Sequence, residues 1–111
     1  QMENLKNYLN IKKRLAKHWS SFFKSNNINF VKPIKGSEAN YWLNTLVFKT
    51  KKQRESFLKY TNKRKVMTRP IWRLMSELRM YKNCQNDGLK NSMWLQERVV
   101  NIPSSVPNKF F

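Results

Sequence analysis

The chain is poor in the residues on which most catalytic and scaffold arguments rest. Its 111 residues include one cysteine, Cys84, one histidine, His18, and two glycines, Gly36 and Gly88. A single thiol excludes an internal disulfide framework and fits a reducing compartment. Two isolated glycines leave no Gly-rich loop to cradle a phosphate. Acids are scarce too: Glu3, Glu38, Glu55, Glu77, Asp87 and Glu97 complete the set. They form no close pair suited to acid–base work, and no His, Cys and carboxylate cluster has metal-ligand spacing. His18 precedes Trp19 in a basic stretch, the setting of a surface or boundary histidine rather than a general base. Cys84 lies between Asn83 and Gln85 with no other histidine to activate it as a nucleophile. No apolar run approaches the roughly 18 residues of a spanning helix, so no membrane association is expected. No signal-peptide pattern opens the sequence, and a cytoplasmic location is expected. Taken alone, the chain carries no catalyst.

What it has in abundance is positive charge and aromatic surface. Lys and Arg total 23 against six acids, a net charge of +17. Hydrophobic residues make up 40% and aromatics 14%, which excludes wholesale disorder and allows one domain with a modest core. The charge attracts phosphates in principle. Yet it is dispersed over Lys12–Lys13–Arg14, Lys49, Lys51, Lys52, Lys63–Arg64–Lys65, Arg69, Arg73 and Arg79, without a block or a readout motif. Asparagine is also frequent, and Lys with Asn is what an AT-rich gene supplies. Nucleic acid is therefore not the favoured partner. A free-standing basic module for nucleic acid or acidic partners stands as the alternative.

Hydrophobic spacing predicts an amphipathic helix over 2–24, with Leu5, Tyr8, Leu9, Leu15, Ala16, Trp19, Phe22 and Phe23 on one face. No capping residue precedes it, as if it began in mid-element. "INFV" is a short strand candidate, and "KPIKGSEAN" is a loop. "YWLNTLVF" (41–48) is the best strand, with apolar groups on both faces. The stretch 51–64 reads as a short helix with Phe57, Leu58 and Thr61 inward. "KVMTRPIW" returns as a strand that Pro70 confines to an edge or ends. A short helix in "RLMSELRMYKNC", a "QNDG" turn, and a helix from about Leu89 to Arg98 follow; "PSSVPNKFF" is loop. The expected fold is α+β: a small antiparallel sheet of about three strands with helices on one face. The other face still shows Tyr, Trp, Met and Val, a patch that marks an interface. "NSMWLQERVVNIPSS" (91–105) poses the same question, since Trp94, Leu95, Val99, Val100 and Ile102 must bury against something.

One constellation stands out. "TRPIWRLM" (68–75) sets a guanidinium, a fixed turn and an indole within five positions. Such a group recognises an anion beside a flat or sugar-like ring. On composition alone the favoured reading is a strand-to-loop exit with Trp72 as core filler.

The wording of three segments, "NYWLNTLVF", "FLKYTNKRKVMTRPIWRLMSELRMYKNCQ" and "LQERVVNIPSS", resembles the C-terminal part of the sugar-nucleotide aminotransferases, the PLP-dependent fold-type I enzymes of the DegT–StrS group. The nearest likeness is to the branch that makes 4-amino-4,6-dideoxy-N-acetylhexosamine nucleotides for bacillosamine- or legionaminic-type sugars. "QMENL" looks like the stretch just before that family's interdomain helix. The resemblance implies an interdomain-type helix over 1–24 and a small C-terminal aminotransferase domain over 25–111. It implies a reaction that moves an amino group from glutamate through pyridoxal phosphate to the 4-keto carbon of a nucleotide-linked sugar, in a homodimer. The Schiff-base lysine, the aspartate on the pyridine nitrogen and the phosphate ligands belong to the family's large domain. No lysine here has the internal-aldimine context, so the chain alone is expected to bind no cofactor and to need the large domain as partner. The matching positions assign Arg69 and Trp72, with Thr68 and Tyr41, to the substrate-facing loop, in contact with the sugar or its diphosphate. Where many relatives carry a histidine after R-x-x-W, this chain has Met75–Ser76. Part of the burial of "VVNIPSS" is then expected to come from outside the chain.

Overall fold

The structure is a computed structural model and describes residues 2–106. A 3-10 turn at Met2–Asn4 leads into a long helix, α1 (Leu5–Ser25). Asn4 stands at the cap position but makes no side-chain cap bond, so the helix starts without one. The expected apolar stripe is buried only in part: Leu15, Ala16 and Phe23 are buried, while Leu5, Tyr8 and Phe22 are exposed. At the other end Asn26 and Ile28 N–H groups close on the Phe23 carbonyl, and Asn27 turns the chain with φ 56°.

The sheet has four antiparallel strands, β1 (Asn29–Phe30), β2 (Asn44–Val47), β3 (Arg69–Pro70) and β4 (Val99–Ile102), in the order β1-β2-β4-β3. That is one strand more than the sequence reading of about three. The addition is Val99–Ile102, the extended end of "ERVVNI", which lies between β2 and β3. Pro70 sits on an edge strand, where its missing N–H is tolerated.

Register divides the sheet into two unlike faces. Phe30 pairs with Leu46, Leu46 with Val100, and Val100 with Pro70, so these four share a row. Leu46 and Val100 are fully excluded from solvent, and burial of each contributes about 1.5–3 kcal/mol. On this face α1 adds Ala16 and Phe23, and Phe48 and Ile102 complete the core. The opposite face carries the row Thr45–Asn101–Arg69, aligned by the same ladders.

The second helix, α2 (Lys51–Lys63), is capped by Thr50, whose hydroxyl accepts the Gln53 N–H at 3.2 Å. Phe57 and Leu58 pack against the core and Thr61 is buried, the inward set expected. Arg54 is buried as well; its Nε donates to the Glu97 carbonyl at 3.2 Å and its Nη2 meets Glu55 at 2.9 Å. Residues 75–81 form two 3-10 turns instead of a short α-helix. Gly88, with φ 86°, closes the "QNDG" turn, and a third helix, α3 (Lys90–Gln96), follows. Pro107 to Phe111, the end of the tail read as loop, lie outside the described residues.

Burial is incomplete for a chain of this mass. The surface is 9573 Å², against about 6500 Å² for a compact monomer of 13.5 kDa. The radius of gyration is 16.1 Å, against about 13 Å for a compact domain of this length. No helix among the described residues is long and apolar enough to cross a membrane.

Candidate functional site

The outer face of the sheet ends in a cleft, and its parts come from four places in the sequence. The β3 strand places Arg69 opposite Asn101 of β4, which in turn faces Thr45 of β2. The Thr45 hydroxyl donates to Asn101 Oδ1 at 3.0 Å, which leaves the Asn101 amide nitrogen turned to other partners. After β4 the chain passes through Pro103, Ser104 and Ser105 along the cleft floor. Lys12 from α1, Trp42, Leu43 and Met67 complete the wall around about 450 Å³.

Trp42 reaches the cleft through an irregular backbone. Tyr41 adopts a left-handed conformation with φ 51°, and the Trp42 N–H donates to Asn40 Oδ1 at 3.0 Å. The strand expected from 41 therefore starts at Asn44. Released from the ladder, Trp42 packs its indole against Trp72 at 6.0 Å between ring centroids and 35° between planes. Both rings remain about two-thirds exposed, at 65% and 66%. Trp72 is thus not core filler.

Charge in the cleft is one-sided. Arg69 is exposed, and its Nη2 lies 3.3 Å from Met67 Sδ. Among the described residues no carboxylate pairs with it: the acids answer Lys13, Lys51, Arg54, Arg73 and Arg98 instead. Lys12 is already committed, its Nζ donating to the carbonyls of Ser104 at 2.6 Å and Tyr41 at 3.4 Å. A guanidinium without an acid, in a cleft that the open Trp42 indole also lines, is suited to receive an anion that carries a flat or apolar body.

The other two residues picked out by sequence lie elsewhere. Thr68 is buried, its hydroxyl bonded to that of Thr61 and to Asn62 Nδ2, while its carbonyl accepts from the same amide at 3.0 Å. It ties the start of β3 to the end of α2. Tyr41 packs against the core beside α1, where Ala16 and Lys17 line a separate hollow with it. The cleft brings Arg69 together with Trp42 and Asn101, which sequence reasoning did not select, and Trp72 joins them only through its contact with Trp42.

A match to one family model runs through residues 1–107, so it takes in every strand, every helix and the cleft. The chain belongs to the DegT/DnrJ/EryC1/StrS aminotransferase family. No curated protein matches it. Aminotransferases of this family are generally PLP-dependent and typically dimeric. A PLP site calls for a lysine amine at the aldehyde carbon and a partner at the pyridinium nitrogen. The cleft does not fit it: Lys12 is held on two carbonyls and no carboxylate stands opposite. Nor do the described residues of this aminotransferase chain form a cluster of His, Cys, Asp and Glu able to hold a metal ion. His18 is exposed, in edge contact with Trp19, and Cys84 is exposed.

Proposed function

We propose that this chain is the substrate-positioning small-domain portion of a sugar-nucleotide aminotransferase and is not catalytic alone. It works with the family's PLP-bearing large domain, against which α1 serves as the interdomain helix, within a cytoplasmic homodimer. The complete enzyme transfers an amino group from glutamate to a nucleotide-linked 4-keto-6-deoxy sugar, in the bacillosamine- or legionaminic-type branch, for surface-polysaccharide or glycan biosynthesis. PLP, supplied by the large domain, is the electron sink for that transfer.

In this reading Arg69 holds the diphosphate with its guanidinium fork, and Trp72 lies against the body of the nucleotide sugar. Thr68 acts one step back, fixing the strand that carries Arg69. Tyr41 acts through its backbone, whose left-handed turn redirects the chain into the cleft. The observation that carries the reading is the Arg69 guanidinium, exposed and without an acidic partner among the described residues, at the end of a polar row in the cleft that Trp42 also lines. A wide positive field around the cleft favours the approach of an anionic substrate. The open surface of the chain supports a second body packed against it.

The test is kinetic. In the enzyme assembled with its PLP-bearing domain, Arg69→Ala is expected to raise KM for the nucleotide sugar at least tenfold while KM for glutamate stays put. An unchanged KM for the nucleotide sugar removes Arg69 from the site.

A further inference from the structure

A hollow of about 680 Å³ opens between α1 and the loop that follows β1. It shares no lining residue with the cleft of Arg69. One wall is a stripe of α1, with Lys13, Ala16, Lys17, Ser20 and Lys24 on one side of the helix. The other wall brings Lys32 and Glu38. Ala16 and Phe30 are buried, at 2% and 7% exposure, so the bottom is apolar while the rim is cationic. We infer that this hollow docks an acidic peptide segment of a partner protein. One apolar side chain of the segment sits on Ala16 and Phe30, and its carboxylates are held by Lys17, Lys24 and Lys32. This docking does not depend on the role proposed for Arg69.

Charge sets the sign of the partner. Among the described residues the acids answer Lys13, Lys51, Arg54, Arg73 and Arg98. Lys17, Lys24 and Lys32 are exposed and meet none of them. Four ammonium groups around one hollow repel one another unless anions sit between them. The chain supplies one such anion itself. Glu38 accepts a hydrogen bond from Lys13 on the facing wall at 2.9 Å, so a carboxylate is already seated at this rim. It satisfies one lysine of the four.

Shape and chemistry narrow the class. From Lys13 to Lys24 the stripe is about 16 Å long, the span of about five extended residues. The apolar bottom gains from covering by one leucine-like side chain and gains nothing from a bare string of carboxylates. Nucleic acid fits less well. Its bases want open aromatic faces, and here Phe30 is buried and Tyr41 half-buried. Clustered phosphates are read best by forked guanidinium groups, and no arginine is among the described residues that line the hollow. Lysines act as point charges on flexible stems, which suits carboxylates arriving singly along an extended strand.

The experiment titrates the isotope-labelled full chain with synthetic peptides by NMR at two salt concentrations, with circular dichroism as a check on folding. The peptides, blocked at both ends, are Glu-Glu-Leu-Glu-Glu, Glu-Glu-Ser-Glu-Glu and Gln-Gln-Leu-Gln-Gln. The first is expected to bind tightest and to move the amides of Lys17 and Phe30. The serine peptide should bind at least fivefold more weakly, and the glutamine peptide not at all. Changing Lys17, Lys24 and Lys32 together to serine should weaken the leucine peptide at least tenfold. The same change at Lys59, Lys63 and Lys82, exposed and outside the hollow, should weaken it less than threefold. Glu38→Gln frees Lys13 and should tighten binding at least twofold, while Glu3→Gln, the same loss of charge elsewhere, should leave it unchanged. Equal losses in the two triple variants, or equal affinity for the leucine and serine peptides, overturn the site. Absence of binding at low salt overturns it as well. A short duplex DNA that binds more tightly than the leucine peptide and moves the same amides overturns the peptide partner.

Discussion

Lys12 and Ser104, 92 positions apart, are joined by a charge-assisted hydrogen bond of 2.6 Å from the ammonium group to the carbonyl. The same ammonium reaches the Tyr41 carbonyl at 3.4 Å, so one side chain of α1 fastens both the entry to β2 and the exit from β4. Trp19 adds a parallel tie, its indole N–H donating to the Pro103 carbonyl at 3.2 Å.

Removing that ammonium should therefore loosen two strand ends at once. Lys12→Met keeps the aliphatic stem and is expected to cost about 1–2 kcal/mol, the lower range for a hydrogen bond to a charged group that is only partly buried. Urea unfolding measures it. A midpoint equal to that of the unaltered chain would mean the bond contributes nothing.

A second prediction concerns the hydroxyl pair inside the α2–β3 junction. Thr68→Val preserves shape and removes the oxygen that Thr61 and Asn62 both contact. The expected loss is about 1 kcal/mol, since buried Thr61 loses one of its partners while exposed Asn62 keeps the Leu58 and Thr68 carbonyls. Thr61→Val combined with it should cost less than the sum of the single changes, because the two share one bond. Strict additivity in thermal unfolding would show that the pair is not coupled.

Asn44 is the reverse case. It is 1% exposed in the core face of β2, and both atoms of its amide lack a partner among the described residues. An unsatisfied buried amide is destabilising, and leucine has nearly its shape. Asn44→Leu is expected to stabilise the fold by about 1–3 kcal/mol. Destabilisation by the substitution would reveal a partner for that amide, such as an internal water.

The last prediction is a pH dependence. Lys13 donates a hydrogen bond to Glu38 at 2.9 Å, and that bond, helped by the charge of Lys13, holds the Glu38 carboxyl below the usual carboxylate range. A carboxyl with a folded pKa below its unfolded value adds stability above the unfolded value and loses it as pH falls through the folded one. Stability should thus decline slightly below about pH 4.5 through this pair, and Glu38→Gln should remove that part of the slope. Because Glu38 is exposed, salt should flatten the effect. A slope identical in Glu38→Gln at low salt would exclude the pair as its source.

The elements were legible wherever local pattern and tertiary burial agree. The α1 stripe and the inward set of α2 follow from helical spacing, and the edge position of β3 follows from Pro70. Of the cleft residues the sequence singled out Arg69, whose residue type and place beside Pro70 and Trp72 make one short, unusual segment. Trp42 was hidden because alternation in "YWLNTLVF" assigns it to a strand face, and nothing in the type of Tyr41 announces a left-handed backbone. Asn101 was hidden for a different reason. Its place beside Arg69 depends on β4 pairing with β3, a long-range register that the local sequence does not encode. Thr68 stands in the same motif as Arg69, yet its hydroxyl turns inward to Thr61. Neighbours in a strand point to opposite faces.

Pro70 has a further consequence at the border of the sheet. Its imide nitrogen has no hydrogen to offer an incoming strand, and Arg69 next to it sets like charge against like charge in any second copy approaching there. Intermolecular β-augmentation, the usual hazard of an uncovered edge, is discouraged at this margin of the sheet. The same two residues thus guard the border beside the cleft against aggregation.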